Sequence, residues 1–314
     1  MIVFGTQDAG PAQYLSKIIN NIGQDYICFS SKISKISFLD NLIYSKTLNF
    51  DLLKPKEIKF IIVGSPPNKN NLDYELLKWG KTNKIITVLI IEHWTNIEQR
   101  VSFIEKFFFP DQIWVNDNYV KNCLINLNIN ENIIRIVGNP VLEKQINYNF
   151  SNPDQFKSIL FISEEMNSSE INLKSKYGFD EYEVVRFILN NRKLETLLYI
   201  KLHPAENKNK YDAFSQFPNV KILRNIPDEK IMNDSFIVGM NSILLLELSL
   251  RGYFIYSYRP NQKEVFIGSK LDLTYNLSKE EFKLSLKTKK FIEFKRSSLS
   301  FNGSMRNIKK IIGN

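Results

Sequence analysis

Short apolar runs alternate with stretches of helical periodicity along the whole chain. Apolar runs that end at Gly, Pro, Asn or Asp read as buried strands, and amphipathic stretches between them read as covering helices. In the first half the strand runs are Ile2–Gly5, Asp25–Phe29, Phe60–Gly64, Ile86–Ile91, Gln112–Val115 and Ile133–Val137, with helices over Ala12–Ile22, Tyr74–Thr82 and Tyr119–Leu127. A second series follows Asn149–Asp154, whose Asn, Ser and Pro mark a linker. Its strands are Ser158–Ile162, Thr196–Leu202, Val220–Leu223, Phe236–Gly239 and Tyr253–Tyr258, and its helices Glu181–Asn191, Ile243–Arg251 and Glu280–Leu286. The basic amphipathic segment Ser304–Ile312 closes the chain.

This alternation predicts the α/β class, with a largely parallel sheet in each half. A chain of 314 residues is long for one core, so two domains are expected, 1–150 and 151–314. Two tandem Rossmann-like doubly wound domains would face each other across a cleft and bind ligands at their strands' carboxyl ends. The last helix either belongs to the second domain or packs back on the first. No internal repeat or low-complexity segment is visible.

Composition narrows the class. The longest strongly apolar stretch, Ile85–Ile91, is far short of the ~20 residues that span a bilayer, and Met1–Gly5 reads as a strand instead of a leader, so a cytoplasmic protein is expected. Cys28 and Cys123 are the only cysteines and His93 and His203 the only histidines, which excludes a disulfide framework and a multi-histidine metal centre. Both cysteines read as small buried apolar residues. A formal charge of +9 suits anionic substrates or an anionic membrane surface, on which the basic C-terminal segment would dock at the inner membrane. No dense basic run with interleaved aromatics points to nucleic acid.

Candidate chemistry gathers at strand ends. In Leu198-Tyr199-Ile200-Lys201-Leu202-His203-Pro204-Ala205-Glu206, Pro204 stops the strand and leaves His203 at its carboxyl end. A histidine there can donate to a phosphate oxygen or protonate a leaving phosphate; the alternative is one that merely ends a strand. In Phe236-Ile237-Val238-Gly239-Met240-Asn241-Ser242, the strand ends at Gly239 and Ser242 stands where a helix begins, a ready phosphate site. Glu247, about one and a half turns on, is placed to meet ribose hydroxyls, unless Ser242 is an ordinary cap and Glu247 faces solvent.

Lys201-Leu202-His203-Pro204, followed by Gly239-Met240-Asn241-Ser242 and an apolar helix with Glu247, resembles the donor domain of GT-B-fold glycosyltransferases. More narrowly it looks like bacterial sialyltransferases and related polysaccharide-biosynthesis transferases, with their HP motif and Ser motif. The resemblance covers roughly residues 158–260, and sugar-nucleotide 2-epimerases and polyol-phosphate transferases share parts of it. It implies that His203 acts as acid toward a CMP phosphate, that Ser242 binds the same phosphate, and that Glu247 binds ribose. Lys201, Pro204, Gly239, Asn241 and Ser163 complete the expected donor site.

The first domain should then supply the acceptor side and the base. Asp8 lies at the end of the first strand, in Gly5-Thr6-Gln7-Asp8-Ala9-Gly10, and is the expected base, or the nucleophile of a retaining variant, with Glu92 or Glu165 the alternative base; Asp8-Ala9-Gly10 only partly matches the family's acid-acid-Gly motif. As an Asp before a helix it also reads as a simple cap. Glu92, His93, Trp94 and Arg100 form the expected acceptor group, with Trp94 either stacking on a sugar or lying in the core. Gly138-Asn139-Pro140 is like the turn that closes the first domain of GT-B enzymes and epimerases. Ser163-Glu164-Glu165 is expected at the cleft, nearer base or acceptor than phosphate. No Asp-x-Asp occurs, so a metal-independent reaction is expected, with a helix end, His203 and Lys201 neutralising the single phosphate of a CMP-linked sugar. The expected partners are a nucleotide-sugar donor and a glycan or lipid-linked acceptor. A UDP-sugar 2-epimerase, a UDP-sugar-dependent transferase and a non-catalytic sugar-binding module are the alternatives.

Overall fold

The computed structural model describes residues 1–30, 42–44, 50–65, 72–143, 154–164, 178–204, 206–261, 265–297, 299 and 301–313. Glu165, Ala205 and linker residues 149–153 lie outside them. The chain divides into two compact units, Met1–Lys144 with Ser300–Asn314, and Gln145–Leu299.

The first unit is built on a parallel sheet of β1 (Ile2–Thr6), β2 (Tyr26–Ser30), β3 (Leu42–Tyr44), β4 (Phe60–Val63), β5 (Ile86–Ile91), β6 (Gln112–Val115) and β7 (Ile134–Ile136). The strand order is β3-β2-β1-β4-β5-β6-β7. The second unit repeats the plan with β8 (Ser158–Ile162), β9 (Leu197–Lys201), β10 (Val220–Leu223), β11 (Ser235–Gly239), β12 (Ile255–Ser257) and β13 (Tyr275–Asn276), again all parallel. Its order is β10-β9-β8-β11-β12-β13. In each unit the winding reverses beside the first strand, between β1 and β4 and between β8 and β11. Such a switch point opens a crevice at the carboxyl ends of the strands. The doubly wound α/β fold expected from the sequence is therefore the fold of the chain.

Burial follows the period. Ile2–Phe4, Ile61–Val63, Val88–Ile91 and Ile159–Ile162 are essentially inaccessible, as strands covered by helices on both faces must be. The second core is strongly aromatic: Phe236 stacks on Tyr256 at 4.1 Å, and Phe282 joins the same cluster. Cys28 is buried as expected, whereas Cys123 is only half-buried, on the helix Asn118–Asn126.

Three differences from the sequence reading have physical causes. The first helix runs Ala9–Ile22 and so begins earlier than Ala12, because Pro11 is tolerated within a first turn, where its missing N–H has no intrahelical partner to lose. β3 and β13 are edge strands of three and two residues, too short to leave a period-two signature. Finally, a boundary at 150/151 places the helix Ser304–Ile312 in the second domain, whereas the structure takes the other placement left open and makes it part of the first unit. Ile308 and Ile312 are wholly buried in the core that holds Tyr14, Leu15 and Ile18. The Glu143 carboxylate accepts the N–H groups of Gly303 at 2.9 Å and Met305 at 3.1 Å, satisfying otherwise orphaned donors at that helix's start.

Candidate functional site

At the carboxyl edge of the first sheet, three carboxylates converge. Asp8 caps the first helix by position, but its side chain makes no capping bond. Asp73, in the first turn of the helix Leu72–Thr82, is buried and accepts the Gln7 N–H at 3.1 Å, while Gln7 Oε1 accepts the Leu72 N–H at 3.2 Å. Glu92 follows β5 directly and is 6% exposed. Burial pushes Asp73 up to about 7, and the charge of Asp8 adds to the rise. Glu92 is likewise raised by burial to about 7; the Arg100 charge opposes the shift and the Asp8 charge adds to it.

Glu92 is held between fixed neighbours. Its Oε2 accepts the Ser65 hydroxyl at 3.5 Å, and its Oε1, which accepts no hydrogen bond, lies 3.5 Å from His93 Nε2 and 3.9 Å from Arg100 Nη1. A Cβ on Gly10 would come within 3.1 Å of Glu92 Oε1 and 3.2 Å of His93 Nε2, so any larger residue would have to displace the pair by a few tenths of an ångström. Burial, then the Arg100 charge, lowers His93 to about 4, which leaves its imidazole neutral near pH 7. Arg100 donates to the Ser65 carbonyl and, at 3.0 Å, to the Ser65 hydroxyl. The sequence reading thus brings Asp8, Glu92, His93 and Arg100 to one edge. It missed Asp73, because an acid in a helix's first turn is common and nothing local announces its burial.

Of the two roles open for Trp94, the structure takes the core one, so it leaves the expected acceptor group. It is 3% exposed, its indole N–H donates to Asp117 Oδ2 at 2.6 Å, and Phe301 lies 6.1 Å away. The ring is a core residue and offers no open face to a sugar.

In the second unit, β9, β8 and β11 are adjacent, and their ends carry the expected donor residues. His203 and Pro204 are exposed just beyond β9, and Ser242 caps the helix Ile243–Leu250 just beyond β11, its hydroxyl accepting the Leu244 N–H at 3.4 Å. β8 lies between, so the two strand axes stand roughly 10 Å apart. Gly239 earns its place by packing: a Cβ there would meet both Leu245 methyls at 3.0 Å and the Ile162 carbonyl at 3.1 Å. Glu247 is partly buried, and burial raises it against the charges of Arg251 and Lys201; it is not the solvent-facing residue of the alternative reading. Lys201 is 7% exposed, lowered by burial and supported by the charges of Glu206 and Glu247. Asn241 is half-buried, and its N–H donates to Glu164 Oε1 at 2.6 Å. Burial raises Glu164 to about 7.

Ser163 corrects an expectation. It is 1% exposed, with its hydroxyl engaged by Glu206 Oε1 at 2.7 Å and Tyr211 at 2.5 Å, so it braces the strand end from behind and has no free hydroxyl for a donor. A separate cavity of about 430 Å³ in this unit is lined by Glu183, Phe187, Tyr258, Arg259, Asn276 and Lys279, and by neither His203 nor Ser242. Among the described residues, no group of three His, Cys, Asp or Glu is placed to hold a metal ion, and no helix is long and apolar enough to cross a membrane.

No protein-family model and no curated protein matches the chain. Solved structures share its fold. The UDP-GlcNAc 2-epimerase from Methanocaldococcus jannaschii has a TM-score of 0.65 at 14% identity, covering 99% of this chain and 98% of that one. The UDP-GlcNAc 2-epimerase from Neisseria meningitidis bound to UDP-GlcNAc has a TM-score of 0.61 at 14% identity, covering both chains completely at 100%. A lipopolysaccharide outer core galactosyltransferase, WaaB, has a TM-score of 0.55 at 12% identity, covering 99% of this chain and 95% of that one. At such identities the likeness shows the fold, the two-domain α/β architecture of the GT-B type.

Proposed function

We propose that the protein is a glycosyltransferase that takes a sugar from a nucleotide-activated donor and passes it to a glycan or lipid-linked saccharide in surface polysaccharide biosynthesis. The observation that carries this reading is the second unit's strand edge: an exposed imidazole beyond β9 and a serine-capped helix start beyond β11, on either side of the switch-point strand. There His203 protonates or hydrogen-bonds the leaving phosphate, the Ser242 turn binds it through hydroxyl and amide donors, and Glu247 takes the ribose. Lys201 adds positive charge beneath.

In the finer form of the proposal the donor is a CMP-linked sialic-acid-like nonulosonic acid or Kdo, whose single phosphate these groups can neutralise without a metal. A general base near pH 7 must hold its pKa near that value, and Glu92, raised to about 7 beside the Asp8 charge, meets the condition. Glu92 therefore takes the acceptor's proton, with Asp8, the base expected from sequence, as the adjoining carboxylate that lifts its proton affinity.

A UDP-sugar 2-epimerase is the second reading, favoured by the fold shared with two such enzymes and by carboxylates suited to moving a proton. The chain incubated with CMP- and UDP-sugars, with and without glycan acceptors, separates them. Acceptor-dependent release of nucleotide supports transfer, interconversion of a UDP-sugar without acceptor supports epimerisation, and binding with neither reaction leaves a sugar-binding module.

A further inference from the structure

Behind His203 lies a buried polar network that the proposed reaction does not use. Glu206 is 3% exposed, yet it carries a carboxylate. Its Oε2 accepts the backbone N–H of His203 at 2.7 Å, and its own N–H donates back to the His203 carbonyl at 3.0 Å. Its Oε1 accepts from Ser163 Oγ at 2.7 Å and from Lys210 Nζ at 2.5 Å. With Ser163 donating to Glu206, the proton between Ser163 and Tyr211 must come from the tyrosine, so the donors run in one direction, Tyr211 to Ser163 to Glu206. Lys210 is shared with the buried Glu181, donates to the Glu164 carbonyl at 3.2 Å, and lies 5.6 Å from each of the Tyr182 and Tyr211 rings. Arg224 donates to the Glu206 carbonyl at 3.2 Å.

Removing a carboxylate from water is costly unless ions and hydrogen bonds compensate, and this one has both. Fold stability alone does not require the arrangement, because apolar side chains of similar volume in place of the whole Glu206–Lys210–Glu181 group would fill the same space without the desolvation cost. Its distinctive product is a fixed backbone at His203, whose imidazole stays exposed.

We infer that Glu206 is the positioning residue of His203, anchoring the turn after β9 to Ser163 at the end of β8 and, through Lys210, to Glu181 at the start of the helix Glu181–Asn191. Its kinetic consequence rests on the function proposed above; its structural consequence does not. Glu206→Gln keeps the volume but loses the capacity to accept from His203, Ser163 and Lys210 together, and Glu206→Asp keeps the charge but shortens the reach by one methylene.

Because the chain has two histidines, selective ¹⁵N-histidine labelling gives two backbone amide signals, one of them His203. In the wild-type chain the His203 amide should resonate downfield and exchange slowly. In Glu206→Gln or Glu206→Asp it should shift upfield and exchange at least tenfold faster, while His93 is unchanged and Glu181→Gln, one link further out, moves His203 much less. If His203 does not respond to either Glu206 variant, or responds equally to Glu181→Gln, the inference is wrong. These spectra need no substrate, so they are read whether or not the proposed reaction is found. Where turnover is measurable, Glu206→Gln should lower it roughly tenfold to a hundredfold with nucleotide affinity nearly unchanged. His203→Ala/Glu206→Gln should then be no slower than His203→Ala alone; losses that multiply would mark Glu206 as structural only.

Discussion

Glu92→Gln should make the protein more stable and less active at the same time. Glu92 is buried, and its carboxyl is raised from an ordinary 4.5 to about 7. The folded chain therefore binds a proton at Glu92 that the unfolded chain has released between these two values, so stability falls as pH rises through the window. At 1.36 kcal/mol per unit, a carboxylate ionised at pH 8 costs about 3 kcal/mol, and the cost shrinks below about 1 kcal/mol by pH 5. Glutamine resembles the protonated acid in shape and does not ionise, so it escapes the cost. For a unit of this size the gain at pH 8 corresponds to roughly 6–12 °C in Tm, converging toward wild type at pH 5.

The assay is a set of thermal melts on both proteins from pH 5 to 8. Asp73 and Glu164, also raised to about 7 by burial, remain in the variant, so a residual decline with pH should persist in it. Turnover should fall by 10²-fold or more if Glu92 takes the acceptor's proton. A variant that melts lower than wild type at pH 8, or with the same difference at pH 5 and pH 8, refutes the reasoning. Ionisation of Glu92 would then not be what the fold opposes.

Three further outcomes are expected. His203→Ala should reduce turnover on the order of 10²-fold with the fold intact by circular dichroism, and an unchanged rate would remove it from proton transfer. Gly239→Ala should destabilise the second unit by about 1–3 kcal/mol in denaturant melts, because its Cβ would press on Leu245 and on the rigid Ile162 carbonyl. Ile308→Ala, in the helix that completes the first core, should cost about 2–5 kcal/mol there, and a neutral result would deny that this helix is integral to the unit.

The fold was legible because its signals are redundant. Each buried parallel strand is an apolar run of ordinary length ending in Gly, Pro or a polar residue, as at Ile162-Ser163 and Leu202-His203-Pro204. The Glu181–Asn191 and Ser304–Ile312 helices match their sequence bounds, the first capped by the Asp180 side chain and the second entered through Gly303. What escaped depends on contacts between distant segments. The unit that the last helix joins is decided by Ile308 and Ile312 meeting Tyr14 and Ile18, which no local period can state. Asp73 and Glu206 have commonplace surroundings in sequence, and only their burial against Gln7 and Lys210 makes them unusual. Trp94 and Ser163 sit at strand ends, where ligand contacts gather, yet hydrogen bonds to Asp117 and Glu206 turn both inward.

Titration of CMP, UDP, CDP and GDP against the wild-type chain, His203→Ala and Ser242→Ala tests the proposed donor site most directly. One nucleotide should bind and raise the melting temperature, CMP if the finer reading holds, with at least tenfold weaker affinity in each variant. Failure of all four to bind, or binding that neither substitution disturbs, would contradict a phosphate site between β9 and β11.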